Sequence, residues 1–153
     1  MKRALLACCA ALLAGCATQG AAPGMVSSEV SARMGKPSAE GRLPNGDAYW
    51  DYSRQPYAID RVVFGADQRV REVRNLLTPQ NFANLRPGLT PDEVAATVGP
   101  TSTRNRFANG TTEWTYRYHD LGVAKLLQVV FDPSGRLALH YTQWDPDVYS
   151  KIP

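Results

Sequence analysis

The sequence predicts an α+β protein of two tandem units, each with short helices followed by a three- or four-stranded antiparallel sheet. The phrase NGDAYWDYSR begins at Asn45 and returns as NGTTEWTYRY at Asn109. In both phrases aromatic residues recur at every second position, the period of a strand with one buried face. An Asn-Gly turn signal opens each phrase, and a helical stretch that ends at Gly35 or Gly99 precedes it. The same helix-then-sheet pattern therefore occurs twice.

The two copies keep one register over a long stretch. When Asn45 is aligned with Asn109, 12 of the 30 positions from 23 to 52 are identical to their partners. Beyond Tyr118 the alignment shifts, so that VVF at 62–64 matches VVF at 129–131. The second copy thus carries three extra residues before Leu127, in a loop, where insertions are best tolerated. These limits divide the chain into a first unit, a second unit and a C-terminal tail: 24–77, 78–143 and 144–153.

Helix signals precede each sheet. In the second unit two Thr-Pro pairs open helices, because Thr suits the N-cap and Pro suits the first helical position. These helices are expected over 78–85 and 90–99, and the first unit is expected to have one over 27–34. The first unit has no signal for the earlier helix. Apolar residues share one face of the later helix: Leu89, Val94, Ala95 and Val98.

The helix signals are followed by strand signals, in which apolar residues recur at every second position. The turn sequences ANG and DPSG predict two hairpins in the second unit. The first unit should have strands near 48–53, 60–64 and 69–75, and a short one near 40–43. The aromatic positions are interpreted as the core face of each sheet, with an aromatic binding platform as the alternative. Two sets are each expected to share a face: Trp114, Tyr116 and Tyr118, and then Leu137, Leu139 and Tyr141.

The chain opens MKRALLACCAALLAGC. A short basic start is followed by an apolar run of about ten residues, the length of a signal-peptide core and too short to span a bilayer. The run ends in LAGC, which resembles the lipobox of bacterial lipoproteins. This resemblance implies a signal peptide over 1–15, lipidation at Cys16 and a lipidated linker over 16–23. Ala17, which is not the Asp that favours inner-membrane retention, implies an outer-membrane anchor on the periplasmic face.

Removal of the expected signal peptide changes the cysteine content and the net charge of the protein. Cys8 and Cys9 leave with it and Cys16 becomes a thioether, so we expect a mature protein without a disulfide. Removing Lys2 and Arg3 lowers the formal net charge from +3 to +1, with 15 basic and 14 acidic side chains remaining. The basic pI of the precursor therefore gives no support for nucleic-acid binding.

No catalytic or metal-binding pattern is found in the sequence. His119 and His140, the two histidines, have no cysteine or carboxylate at metal-ligand spacing. The serines lack a nucleophile-elbow context. We therefore expect no enzymatic activity, no metal site and no cofactor.

The second unit resembles the BamE (SmpA/OmlA) family of outer-membrane lipoproteins. The resemblance rests on LRPGLTPDEVAATVG, EWTYRY and VVFDPSG and covers about residues 75–142 well. Tandem copies of this shape are also similar to the beta-lactamase inhibitory protein fold. The family's Pro-Asp-Ile-x-Gln-Gly stretch, which contacts its partners, is replaced here by REVRN. The residues at the family's motif positions are Gly88, Leu89, Thr90, Val94, Gly99, Trp114, Tyr116, Phe131 and Gly135.

The resemblance implies a non-enzymatic binding or scaffold role in outer-membrane protein assembly or envelope integrity, with an envelope protein as partner. The alternative is an inhibitor or regulator of a periplasmic enzyme. The tail residues Trp144 and Tyr149 are candidates for a partner surface, since interfaces favour large aromatics and no strand is expected to bury them. Four arginines are candidates for contact with anionic lipid headgroups, or are solvated strand-end residues: Arg42, Arg104, Arg106 and Arg117. The last three are also candidates for contact with a partner.

Overall fold

The computed structural model describes residues 20–54, 56–101 and 103–149 and confirms the α+β class. Two separate four-stranded antiparallel sheets form, each with its strands in chain order. The signal peptide over 1–15, Cys16 and the last four residues of the tail lie outside the described residues. The elements are α1 Ser27–Met34, β1 Ala39–Arg42, β2 Ala48–Arg54, β3 Ala58–Phe64, β4 Val70–Asn75, α2 Pro79–Phe82, α3 Pro91–Val98, β5 Thr103–Arg106, β6 Thr112–Asp120, β7 Val123–Phe131, β8 Leu137–Trp144 and α4 Pro146–Tyr149.

The helices α2 and α3 begin where their Thr-Pro pairs predict. Thr90 and Glu93 form a capping box at α3, in which the Thr90 hydroxyl accepts from Glu93 N at 3.3 Å and the Glu93 carboxylate accepts from Thr90 N at 2.7 Å. These bonds to Thr90 lower the pKa of Glu93. The helix α2 ends at Phe82, short of the expected limit near 85, because the chain then turns with Leu85 N bonded to Phe82 O.

The aromatic positions of β6 form the core face, as predicted. Trp114, Tyr116 and Tyr118 are 6%, 2% and 2% exposed and pack against the apolar faces of α2 and α3. Burial of large aromatic side chains is a main source of stability in a small domain. This core also includes apolar residues of the first unit that lie in or just after its sheet: Ile59, Leu76 and Leu77.

One Tyr in each aromatic phrase, Tyr52 or Tyr116, donates a hydrogen bond to the glycine that ends the preceding helix. Tyr52 Oη donates to Gly35 O at 3.3 Å, and Tyr116 Oη donates to Gly99 O at 3.0 Å. Both glycines end the helix that precedes the sheet and have a positive φ. Burial raises the pKa of both phenols. Each Tyr therefore ties the end of one helix to the sheet that follows it.

A buried ion pair joins the first sheet to α3. Arg61 and Asp51 face each other across β2 and β3, are 2% and 1% exposed, and make two hydrogen bonds of 2.7 Å. Arg61 Nη1 also donates to Ala96 O at 2.6 Å, one of the last carbonyls of α3, which have no partner within a helix. Val94 and Val98 of α3 pack on the second sheet. Hence α3 has contacts with both sheets.

One predicted face is wrong. Leu137 is 1% exposed, but Leu139 and Tyr141 are 49% and 42% exposed. A register shift between Val130 and Phe131 pairs Leu137 with Phe131 and Leu139 with Val130, so the residues on either side of the bulge face opposite sides of the sheet. The first sheet has its register shift between Val63 and Phe64, at the same place in the repeat.

We predict that Arg61→Ala lowers the free energy of unfolding by about 3–5 kcal/mol, because it leaves the buried Asp51 carboxylate without its cation. Urea unfolding followed by circular dichroism measures the change. Arg74→Ala is the control: Arg74 pairs with Glu72 and both side chains are exposed, at 43% and 51%, and loss of such a pair costs about 1 kcal/mol or less. Equal effects of the two variants would contradict a structural role for the buried pair.

Candidate functional site

The C-terminal segment is part of the second sheet, which corrects one premise of the sequence analysis. Trp144 is the last residue of β8 and pairs with Lys125 of β7, so the tail does begin on a strand. The pairing of β8 with β7 continues as far as Trp144, where the sequence predicts that the tail begins. Even so, Trp144 is 62% exposed, and the strand presents its indole to solvent.

The segment after Trp144 is attached to the start of β7. Asp145 N donates to Ala124 O at 3.1 Å, and Ala124 N donates to the Tyr149 hydroxyl at 3.2 Å. The short helix α4 lies between these two contacts. The rings of Trp144 and Tyr149 meet edge to face, with centroids 5.1 Å apart. The two predicted aromatics are thus brought together and held by one residue of β7.

Arg117 also binds this segment. Its Nε lies 3.2 Å from Asp145 Oδ2, and its guanidinium forms a second ion pair with Asp147. Asp145 is fully buried, and its Oδ2 has no aligned hydrogen-bond donor within the described part of the chain. The contact between Arg117 and Asp145 is therefore an ion pair and not an aligned hydrogen bond. Of the three arginines predicted to contact a partner, Arg117 is the one that binds the segment carrying the two aromatics.

The other two arginines lie on β5 at a different place. Arg104 has its guanidinium carbon 4.5 Å from the centroid of the Trp114 ring, on the core face of the sheet. Arg106 is exposed at the end of the same strand. Arg117 alternates with Trp114 along β6 and so points to the opposite face. The three cations do not form one patch.

Two exposed apolar side chains at the end of the last strand and on the last helix define what we call the C-terminal face: Trp144 and Val148. Leu139 and Tyr141 are also exposed, but they alternate with Trp144 along β8 and so lie on the other side of the sheet. In the alignment that places Val62 on Val129, Leu139 and Tyr141 correspond to Glu72 and Arg74 of β4. The side chains of Glu72 and Arg74 are exposed and lie 3.6 Å apart. This part of β4 is therefore an ordinary charged surface in contact with solvent.

Within the C-terminal face, only Trp144 is predicted from the sequence to be a surface residue. The replacement of charged by apolar residues between the two copies is the signal that could have found Leu139 and Tyr141. Val148 has no such signal, because the first copy has no counterpart of the tail.

The two histidines have separate surroundings. His119 stacks on Tyr57, with ring centroids 4.0 Å apart. Burial first, and then the charge of Arg86, lowers the pKa of His140. Within residues 20–54, 56–101 and 103–149, no group of three or more His, Cys, Asp or Glu residues is placed to hold a metal ion. No helix in these same ranges is long and apolar enough to cross a membrane.

Comparison with known proteins gives only weak likenesses. No family model and no curated protein matches the chain. A putative osmotically inducible lipoprotein, OsmE, is similar with 21% identity and a TM-score of 0.36 over 40% of this chain and 71% of that one. The DUF4309 family protein YjgB from Bacillus subtilis has 17% identity and a TM-score of 0.32 over 78% of each chain.

A third similar structure is an extracellular protein containing an SCP domain from Bacillus anthracis. It has 14% identity and a TM-score of 0.32 over 84% of this chain and 46% of that one. Likenesses with such low TM-scores carry no argument about this chain, so its function is inferred from its own residues.

We predict that Arg117→Ala lowers the free energy of unfolding by about 1–3 kcal/mol, because the buried Asp145 carboxylate loses its cation. The amides of Val148 and Tyr149, both bonded to Asp145 O, should then exchange with solvent faster. Hydrogen exchange read by NMR measures this. Arg106→Ala is the matched control, since it removes an exposed arginine of the same sheet, and it should leave both quantities unchanged. Unchanged exchange in Arg117→Ala would show that Arg117 does not hold the segment.

Proposed function

We propose that this chain is a non-enzymatic outer-membrane lipoprotein whose C-terminal face binds another envelope protein. Its role is that of a binding or scaffold module in outer-membrane protein assembly or envelope integrity. The anchor is inferred from the sequence MKRALLACCAALLAGC and the binding site from the exposed side chains. Acylation of Cys16 places the folded units near the membrane, because only a short linker separates them.

The observation that carries the binding role is the C-terminal face. Its Trp144 is 62% exposed, yet the backbone beneath it is fixed by Ala124 and by the buried Asp145. A rigidly held, exposed Trp loses little conformational entropy on association, and Trp is enriched among residues that dominate binding energy. The second unit also exposes two apolar side chains, Leu139 and Tyr141, on the other side of β8, where the first unit has charges.

The anchor is tested by Cys16→Ala in cells. The protein should move from the membrane fraction to the soluble fraction, because more than one acyl chain is needed for stable attachment and the variant has none. Cys9→Ala is the control, since it alters a neighbouring thiol within the expected signal. Equal membrane retention of the wild type and Cys16→Ala would contradict lipidation at this residue.

The partner surface is tested by photo-crosslinking in cells. A photoreactive amino acid at Val148 of the lipidated protein should capture one envelope protein, and Trp144→Ala should weaken that capture about tenfold or more, as loss of a central interface Trp does. Phe107→Ala is the matched control because Phe107 is an exposed aromatic, 48% accessible, in the β5–β6 loop. That variant should crosslink as the wild type does.

The captured protein decides between the two functional classes. An outer-membrane protein or a component of its assembly supports the scaffold role. A soluble periplasmic enzyme whose activity falls on binding would instead support the inhibitor role, and would overturn the scaffold role. Capture that is unaffected by Trp144→Ala would overturn the C-terminal face as the binding surface.

A further inference from the structure

A cleft of about 570 Å³ opens at one end of the first sheet, where the β1–β2 loop faces the β3–β4 turn. Trp50 and Phe64 form its aromatic floor, with ring centroids 4.7 Å apart. Arg42 and Asp47 line the loop side, and Ala66 lines the turn side. Small-molecule sites have volumes of roughly 300–1,000 Å³ and combine an apolar surface with a few polar groups. This cleft meets both conditions.

In the second unit the equivalent cleft is closed. There Gly110 of the β5–β6 loop approaches Pro133 of the β7–β8 turn so closely that an added Cβ would lie 3.2 Å from Pro133 Cβ. At Gly46, the matching loop residue, an added Cβ would meet nothing within 4 Å. In the alignment of the two VVF segments, Ala66 stands where the second unit has Pro133. The first unit therefore lacks the proline ring that fills the gap.

The aromatic floor is also less covered in the first unit. Arg104 sits opposite Trp114 and covers its ring, and Trp114 is 6% exposed. Glu40 sits opposite Trp50 in the same register, and an anion does not stack on the negative face of an indole. Trp50 remains partly exposed. Its ring is thus available to a ligand, whereas the ring of Trp114 is not.

Two charged side chains line the cleft, Arg42 and Asp47. Asp47 accepts from Arg71 Nη1 and from Asn45 Nδ2, each at 2.9 Å. Arg42 donates one of its five N–H groups to Gly46 O at 3.0 Å. The acid of the cleft is therefore engaged, while the described contacts of Arg42 leave donors for a ligand. A planar guanidinium binds a carboxylate with two parallel hydrogen bonds, as it also binds a phosphate.

We propose that this cleft binds an aromatic carboxylate, with the ligand ring against Trp50 and its carboxylate on Arg42. A free aromatic acid and the C-terminal aromatic residue of a peptide share this chemistry. The site lies on the first unit and is independent of the C-terminal face of the second. Failure of either proposal therefore leaves the other standing.

The test is a titration of the full lipidated chain in detergent with N-acetyl-L-phenylalanine, followed by the indole N–H resonance of Trp50. We expect a saturable shift of this resonance, while those of Trp114 and Trp144 stay in place. The matching carboxamide should bind at least about tenfold more weakly, because it lacks the charge that Arg42 recognises. Arg42→Gln should reduce the affinity for the acid to that for the amide.

Ala66→Pro is the variant that closes the cleft. In both turns the first residue's carbonyl accepts a hydrogen bond from the fourth residue: Gln68 N to Gly65 O at 3.0 Å, and Gly135 N to Asp132 O at 2.9 Å. Ala66 is the second residue of its turn, where proline is favoured, and Pro133 occupies that place in the other turn. The variant should keep its thermal unfolding midpoint and lose the shift of Trp50.

Pro133→Ala is the matched control, and it should leave binding at Trp50 unchanged. Tighter binding of a peptide ending in phenylalanine than of the single residue would identify a peptide C-terminus as the source. Equal binding would identify a free acid, and either result supports the site. A shift that does not saturate, equal binding of acid and amide, or binding that survives Ala66→Pro would overturn the proposal.

Discussion

The guanidinium of Arg61 connects the first sheet to α3, the helix that packs on the second sheet. It is buried, and a buried cation is tolerated only when its charge and donors are satisfied. Asp51 satisfies the charge from the neighbouring strand, and Ala96 O satisfies a further donor from α3. Because α3 also packs on the second sheet, these bonds fix its position relative to both. Ile59 also approaches the end of α3 closely, since an added Cβ at Gly99 would lie 2.7 Å from Ile59 Cγ2.

The second sheet has a different pair at the same place. In the alignment of the two copies, Asp51 and Arg61 correspond to Thr115 and Gln128, which also face each other across adjacent strands. Thr115 donates to Gln128 Oε1 at 2.6 Å, so a neutral hydrogen bond replaces the ion pair. A neutral pair costs less to bury. The charged pair lies in the first sheet, where Arg61 can also donate a hydrogen bond to a carbonyl of α3. This additional bond explains why only the first copy has an ion pair at this place.

The local parts of this fold could be predicted from the sequence, and the long-range parts could not. Helix starts, hairpins and the aromatic core face depend on neighbouring residues, as the Thr90 capping box shows. The bond from Arg61 to Ala96 joins residues 35 positions apart, and no pattern of period two or 3.6 reports it. The bulge that exposes Leu139 depends on how β7 and β8 pair. For the candidate site, the sequence identified Trp144, Tyr149 and Arg117 but not the anchor at Ala124, which binds through its backbone.

The two copies share hydrogen bonds in the core and differ in residues on the surface. Both copies keep the Tyr-to-Gly hydrogen bond and the register shift in the third and fourth strands, so these features belong to the fold of one unit. Some of the differences lie at solvent-facing positions, such as Ala66 against Pro133 and Glu72 against Leu139. Surface changes of this kind leave the core bonds intact and therefore cost little stability. As a result, each copy can carry its own recognition surface: an open aromatic cleft in the first and the exposed apolar side chains of the last strand and helix in the second.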